Sequence, residues 1–338
     1  MPDLAVRTLG GSVIAASDES FAVKENLINP WEPGFTAHSF GAKGQEYDGW
    51  ETARRRDGGH DWAIIRLGLP GVIDRVVIDT AWFKGNYPPQ ARVEACACED
   101  ADPGPGTAWT QIVPRSPLKG DTAHTFEVTV GQRFTHVRLT MFPDGGIARL
   151  RVHGRVVPDP ALLSGLTVDV AALEHGARVV ACSDEFYSSP EHMLHPGHAR
   201  NQAEGWETAR RRDGGHDWAV IALAAQATLA LAEIDTTHLK FNAPAAITLS
   251  GATDPQGPWH TLLPRTPIRP DHRHRIRLDT TRPITHARLD IHPDGGIARL
   301  RLLGHLTEAG ERAMWERLAE VTPPGRAPRP EGRRTRRP

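Results

Sequence analysis

The 338-residue chain has only three cysteines, Cys96, Cys98 and Cys182. An odd number without framework spacing excludes a disulfide-stapled scaffold and suits a reduced compartment. No apolar run is long enough for a transmembrane helix. The opening MPDLAVRTLGGSV lacks the charged start and apolar core of a secretory leader. A cytoplasmic protein with no membrane partner is therefore expected. An excess of one charge is also missing: 40 Lys and Arg stand against 41 Asp and Glu. No overall field would draw such a chain to nucleic acid or anionic lipid, so no nucleic-acid partner is expected. The one strong charge run, Arg326 to Arg337, is Pro-rich and reads as a disordered, solubilising tail. G-x-S-x-G, H-E-x-x-H, a Walker loop and a dinucleotide fingerprint are all absent. Neither a cofactor nor a metal is expected. His192, His195 and His198 have metal-like spacing, but the first half has no equivalent, and Pro196-Gly197 breaks any helix that would align them.

What the chain does have is a repeat. Gly49 to Trp62 reads GWETARRRDGGHDW, and Gly205 to Trp218 reads the same without a substitution. Ser17-Asp18-Glu19 returns as Ser183-Asp184-Glu185, and Pro143 to Arg151 returns as Pro293 to Arg301 unchanged. The offset falls from 166 to 156 to 150 residues along the chain, so the second copy has lost ten residues before the long motif and six after it. Both losses fall in loop-like Gly/Pro ground, where they are tolerated. The period is far too long for a solenoid, which leaves a duplicated domain. The copies span 10–157 and 166–306, and residues 307–338 hold a terminal helix, Glu308 to Glu320, and the basic tail.

Within each copy the pattern is β. Trp62 to Leu67 and Ile73 to Thr80 read as strands with a turn at Gly68 to Gly71. Ala91 to Cys98, Thr125 to Val130, Thr135 to Met141 and Ile147 to Val152 complete the set. Short strands between Gly, Pro and Asp turns indicate an all-β sandwich or jelly roll, two in tandem.

The motif carries the chemistry. Asp57-Gly58-Gly59 is a turn signal, so Thr52 to Trp62 is expected to form a hairpin. Arg54 and Arg56 then share one face and Arg55 the other; His60 and Trp62 share a face opposite Asp61. Arginines this dense need an anion or several acids, and Arg grips a carboxylate through paired hydrogen bonds. Arg54 and Arg56, with Arg210 and Arg212, are the candidate carboxylate clamps. An internal salt network with Glu51, Asp57 and Asp61 is the competing reading. Asp144, Gly145, Gly146 and Arg149 recur as Asp294, Gly295, Gly296 and Arg299. A Gly-Gly pair lets backbone approach a ligand closely, or simply makes a tight turn. Lys84 and Asn86, with Lys240 and Asn242, follow a strand end where ligand contacts are common.

GWETARRRDGGHDWAIIRLG together with FPDGGIARLRVHG resembles the allantoicase family, over nearly all of residues 10 to 306. The resemblance implies two galactose-binding-like jelly rolls, a homo-oligomer, and hydrolysis of allantoate to ureidoglycolate and urea. Asn86, Asn242 and the Gly-Gly turns would then answer the substrate's ureido arms. His60 and His216 would protonate the leaving nitrogen. Glu51, Asp57 or Asp61, or in the second copy Glu207, Asp213 or Asp217, would hold or deprotonate water. The rival readings are a non-catalytic carboxylate- or carbohydrate-binding jelly roll, a metal-dependent hydrolase of another ureido compound, and a scaffold that binds partner acids.

Overall fold

In the computed structural model, which describes residues 1–99, 101–278 and 280–323, each half is organised on one long strand. Asp61–Asp79 and Asp217–Asp235 each run for 19 residues. Along the first, Asp61, Ala63, Ile65 and Leu67 are buried, while Trp62, Ile64 and Arg66 are partly or fully exposed. That alternation marks a strand with one face on a core.

The expected turn at Gly68 to Gly71 does not form, and the strand continues through it without a break. A Cβ on Gly68 would lie 2.3 Å from the Leu9 carbonyl oxygen, and one on Gly71 would lie 2.2 Å from that of Arg155. These glycines let neighbouring backbone pass close; they do not reverse the chain. The pairing register slips here, between Arg66 and Gly71 and again between Ala222 and Ala227 in the second half. Before the slip the first long strand pairs with Ser12–Ala16 and Arg133–Phe142. After it Gly71 and Val72 still face Phe134 and Arg133, and Arg149–Val156 and Ala123–Glu127 take over as partners. One strand thus serves both layers of a sandwich, changing sheets at an irregularity.

Among the described residues the first half forms a seven-stranded antiparallel sheet, with Gln90–Cys96 and Thr110–Pro117 continuing outward from Arg133–Phe142. The second half repeats the arrangement with eight strands, the extra one being Thr167–Asp169. Ile65, Val93 and Leu139 from one layer and Val76, Ile78 and Leu150 from the other are all 0% exposed. Each such side chain stabilises the fold by roughly 1.5–3 kcal/mol. These are two tandem jelly-roll-like sandwiches.

The chain divides into two compact units, Met1–Val157 with Val321–Pro323, and Pro158–Glu320. The first reaches further back than residue 10, because Leu4 and Ala5 are fully buried and the Leu4 N–H donates to the Val152 carbonyl. The helix Glu308–Val321 turns Gly310, Met314 and Leu318 inward, four residues apart on one face. It is tied to the second unit by Arg317, which donates to the Ala224 carbonyl. The basic run Arg326 to Arg337 lies outside the described residues. No helix among the described residues is long and apolar enough to cross a membrane.

Candidate active site

The expected hairpin from Thr52 to Trp62 does not form. Trp50–Glu51 pairs instead with Gly146–Ile147, and Asp61 opens the long strand. Residues 52–60 are therefore a loop, and its backbone donors are claimed from outside. Thr52 N–H donates to the Gly145 carbonyl at 3.1 Å and Asp61 N–H to that of Pro143 at 3.0 Å. Ala53 N–H donates to Asp18 and Arg55 N–H to Asp144, both at 2.7 Å. The second unit repeats all four bonds, with Asp184 and Asp294 as the carboxylates. Donors satisfied this way have no need of a hairpin ladder.

Much of the motif holds itself together. Trp50 and Trp206 are 0% exposed and donate their indole N–H to the Asp18 and Asp184 carbonyls. Arg55 bonds Asp61 at 2.9 Å and Asp57 at 2.7 Å; Arg211 does the same with Asp217 and Asp213. Asp61 and Asp217 are buried and also accept from Ser17 and Ser183. Asp57 further accepts from Gly59 N–H, fixing the loop's tip, where Gly58 sits at φ +71°. The internal salt network is thus real for the middle arginine.

The later block is committed to the fold too. Arg149 is 1% exposed and donates to the Trp31, Asp48 and Ala148 carbonyls and to the Asp48 carboxylate. Arg299 donates to the Gly197, Glu204 and Ala298 carbonyls. Burial, with Arg301 close by, pulls its guanidinium down to about 10. Neither arginine has its fork free for a substrate. The Gly-Gly pairs are not open to a ligand either. A Cβ on Gly145 would meet the Asn86 carbonyl oxygen at 2.7 Å, and one on Gly146 would meet the Phe83 ring at 2.0 Å. Gly295 and Gly296 are blocked likewise, by the Asn242 and Trp206 carbonyl oxygens. Gly146→Ala is therefore expected to lose about 1–3 kcal/mol in denaturant unfolding, as overpacking of a tight contact does. An unchanged midpoint would show that Phe83 moves aside freely.

What remains uncommitted is a short set. Arg54, Arg56, Arg210 and Arg212 are exposed and have no ion-pair or hydrogen-bond partner among the described residues. Lys240 is in the same state, and Lys84 reaches Asp121 only at 3.8 Å. Glu51 accepts from Asn86 at 2.7 Å, and Glu207 from Asn242 at 2.5 Å and from Gln202 at 2.7 Å. Burial pushes the Glu51 carboxyl above its usual range, with the Asn86 bond opposing.

The two histidines stand differently. His60 is exposed and lies against the Phe142 ring, centroids 5.3 Å apart. His216 has Nε2 2.9 Å from Asp290 Oδ1 and its ring 4.7 Å from His292. His192 and His195 lie with ring centroids 5.2 Å apart, but the His198 ring is taken by the Arg273 guanidinium, so the three do not form a ligand set. No group of three His, Cys, Asp or Glu among the described residues is arranged to hold a metal ion.

A cavity of about 450 Å³ opens beside His60, lined also by Trp62, Arg92, Trp109, Arg138 and Thr140 and walled by Pro103–Pro105. Register explains the gathering. Thr140 lies opposite both Trp62 and Arg92, and Arg138 lies opposite Ile64, so all project from the outer face of three adjacent strands. Sequence reasoning missed Arg92, Arg138 and Asp290 as site neighbours. Alternation could have turned them outward, but only the strand order brings them beside the histidines.

The same architecture is found in known proteins. The family model described as the allantoicase repeat matches residues 2–157 and 168–307. A protein of Nocardia farcinica named Probable allantoicase is 54% identical over 312 residues, covering 90% of this chain and 94% of that one. One of Streptomyces avermitilis with the same name is 47% identical, covering 94% of this chain and 89% of its own length. The crystal structure of allantoicase from Saccharomyces cerevisiae superposes with a TM-score of 0.76 at 35% identity, over 90% of this chain and 93% of that one. With both units matched and these identities sustained along nearly the whole length, the chain belongs to the allantoicase family.

Proposed function

We propose that this chain hydrolyses allantoate, a small-molecule substrate, to ureidoglycolate and urea. One observation carries the reading: in both units the motif's internal bonds use up the middle arginine and the aspartates but leave two flanking arginines free. Allantoate bears one carboxylate and two ureido arms on a single carbon. Arg54 and Arg56, or Arg210 and Arg212, supply the paired donors that a carboxylate accepts. Water adds its oxygen to the carbon, the carbon–nitrogen bond breaks, and the departing urea nitrogen takes a proton from His60 or His216. Glu51, oriented by Asn86, receives the proton lost by the water, as does Glu207 with Asn242 in the second unit. Lys84 and Lys240, two residues before Asn86 and Asn242, supply further cations. Asp57, Asp61 and Asp144 act as positioning residues by holding the loop in shape, as do Asp213, Asp217 and Asp294.

Urea release from the purified full chain given allantoate, beside allantoin and ureidoglycolate as controls, tests the reaction. A folded sample that releases none from allantoate removes it. The same reading places the protein in the cytoplasm, consistent with three cysteines of which none is in a disulfide. It also includes assembly of copies, for which the exposed Phe186, Tyr187 and Phe241 supply apolar surface. Light scattering on the eluting protein tests that, and a monomer at working concentration would refute it.

A proton acceptor must be ionised. Because burial keeps the Glu51 carboxyl neutral to higher pH, kcat/KM should fall on the acid side with a midpoint above the ordinary 4.5. Glu51→Gln should lower the rate and flatten that limb; an unchanged profile assigns the limb elsewhere.

A further inference from the structure

The two units carry identical motifs but different outer faces beside them. In the first unit Arg92 and Arg138 share one acid, Glu94, at 3.2 and 2.8 Å. Two cations on one carboxylate leave the cavity wall with a net positive charge. Among the described residues Arg92 makes that ion pair and a distant ring contact, and most of its donors stay uncommitted. Arg138 is stacked 4.5 Å over the Trp109 ring, and Trp62 lines the same cavity. The wall at Pro103–Pro105 belongs to the connection 97–109, which is six residues longer than its counterpart 253–259.

At the matching positions of the second unit, Thr248 and Ser250 replace Arg92 and Glu94, and Asp290 replaces Thr140. Asp290 Oδ1 takes two bonds from Arg288, at 2.9 and 2.8 Å, and the His216 contact besides. There the cation is neutralised and the histidine is occupied. In the first unit the cation is in excess and the histidine has no hydrogen-bond partner among the described residues.

We infer that the two units are not equivalent: the cavity of the first binds a small anion bearing planar groups, held by Arg92 and packed against Trp62 and Trp109. The second unit does not offer this site. An arginine fork matches carboxylate and carbonyl acceptors, and indole faces suit planar groups. The urea-type groups and the identity of the ligand as allantoate rest on the proposed reaction; the cavity's preference for a small anion with planar groups rests on the side chains alone.

The test uses the full chain, with N-carbamoylglycine binding by calorimetry and allantoate kinetics measured in parallel. Arg92→Thr, which installs the residue found at Thr248, is expected to weaken binding and raise KM by about tenfold, a loss near 1.4 kcal/mol. Trp109→Ala should do the same, whereas Trp259→Ala in the second unit should leave both within about twofold. Arg92→Lys keeps the charge without the fork and guards against a variant that fails to fold; about threefold weaker binding is expected. The inference is overturned if folded Arg92 and Trp109 variants bind as the parent does, or if Trp259→Ala weakens binding as much as Trp109→Ala. If the parent binds N-carbamoylglycine through Arg92 but releases no urea from allantoate, the cavity stands and the reaction falls. If it releases urea and Arg92 is silent, the reaction stands and the cavity falls.

Discussion

Replacing His60 with alanine is expected to lower kcat for urea release by about 10²- to 10⁴-fold, the usual contribution of a positioned proton donor. The melting temperature should barely move. His60 is exposed and, among the described residues, donates or accepts no hydrogen bond; its contact is a tilted ring against Phe142. An imidazole held so loosely contributes little to the fold, so a large rate loss would report chemistry. Steady-state urea release beside a thermal melt separates the two. Because His216 is already bonded to Asp290, it does not substitute for His60 if the units are non-equivalent. A His60→Ala chain that keeps half its rate would mean that the second unit works alone, and would remove His60 from its proposed role as the principal donor.

The largest stability loss is expected from Trp50→Ala, about 3–5 kcal/mol, as for other large aromatic deletions from a core. Trp50 is 0% exposed, and its indole N–H satisfies the Asp18 carbonyl at 2.8 Å. Truncation would leave a cavity under the motif and an acceptor without its donor. Denaturant unfolding followed by circular dichroism measures the loss, and a change below about 1 kcal/mol would show that the site collapses without penalty. Trp62→Ala is the contrast. That side chain is partly exposed on the outer face, so its removal should cost much less stability and act on binding. Two tryptophans of one short motif thus have different duties, because one lies in the Trp50–Glu51 strand and the other on the alternating outer face of Asp61–Asp79.

Much of this was open to inspection in the sequence. The duplication, the β class and the terminal helix followed from repeats, spacing and period, which are local properties. The expectation that Arg54 and Arg56 share one face and Arg55 the other rested on a hairpin that is absent; Arg55 is set apart instead by its bonds to Asp61 and Asp57, which leave Arg54 and Arg56 exposed. The hairpin failed because backbone donors of residues 52–61 are satisfied by Asp18, Asp144, Pro143 and Gly145, and nothing in the loop's own residues announces those partners. Gly68 to Gly71 misled for a related reason. Glycine marks a turn or a close approach equally well, and only the Leu9 and Arg155 carbonyls, far off in sequence, decide between them.

The sequence by itself determined that two copies of a β sandwich carry one polar, arginine-rich motif, because composition, period and identity need no partner to be read. Only the tertiary structure decided which of those polar groups stay available. Whether a guanidinium or carboxylate is committed depends on what lies across from it. Arg149 is buried against the loop of Trp31 and Asp48, and Arg55 is paired with Asp61, while Arg54 and Arg56 face outward. The difference between His60 and His216 arose in the same way. Their local sequences are identical, and they differ because the neighbouring strand presents Thr140 to one unit and Asp290 to the other.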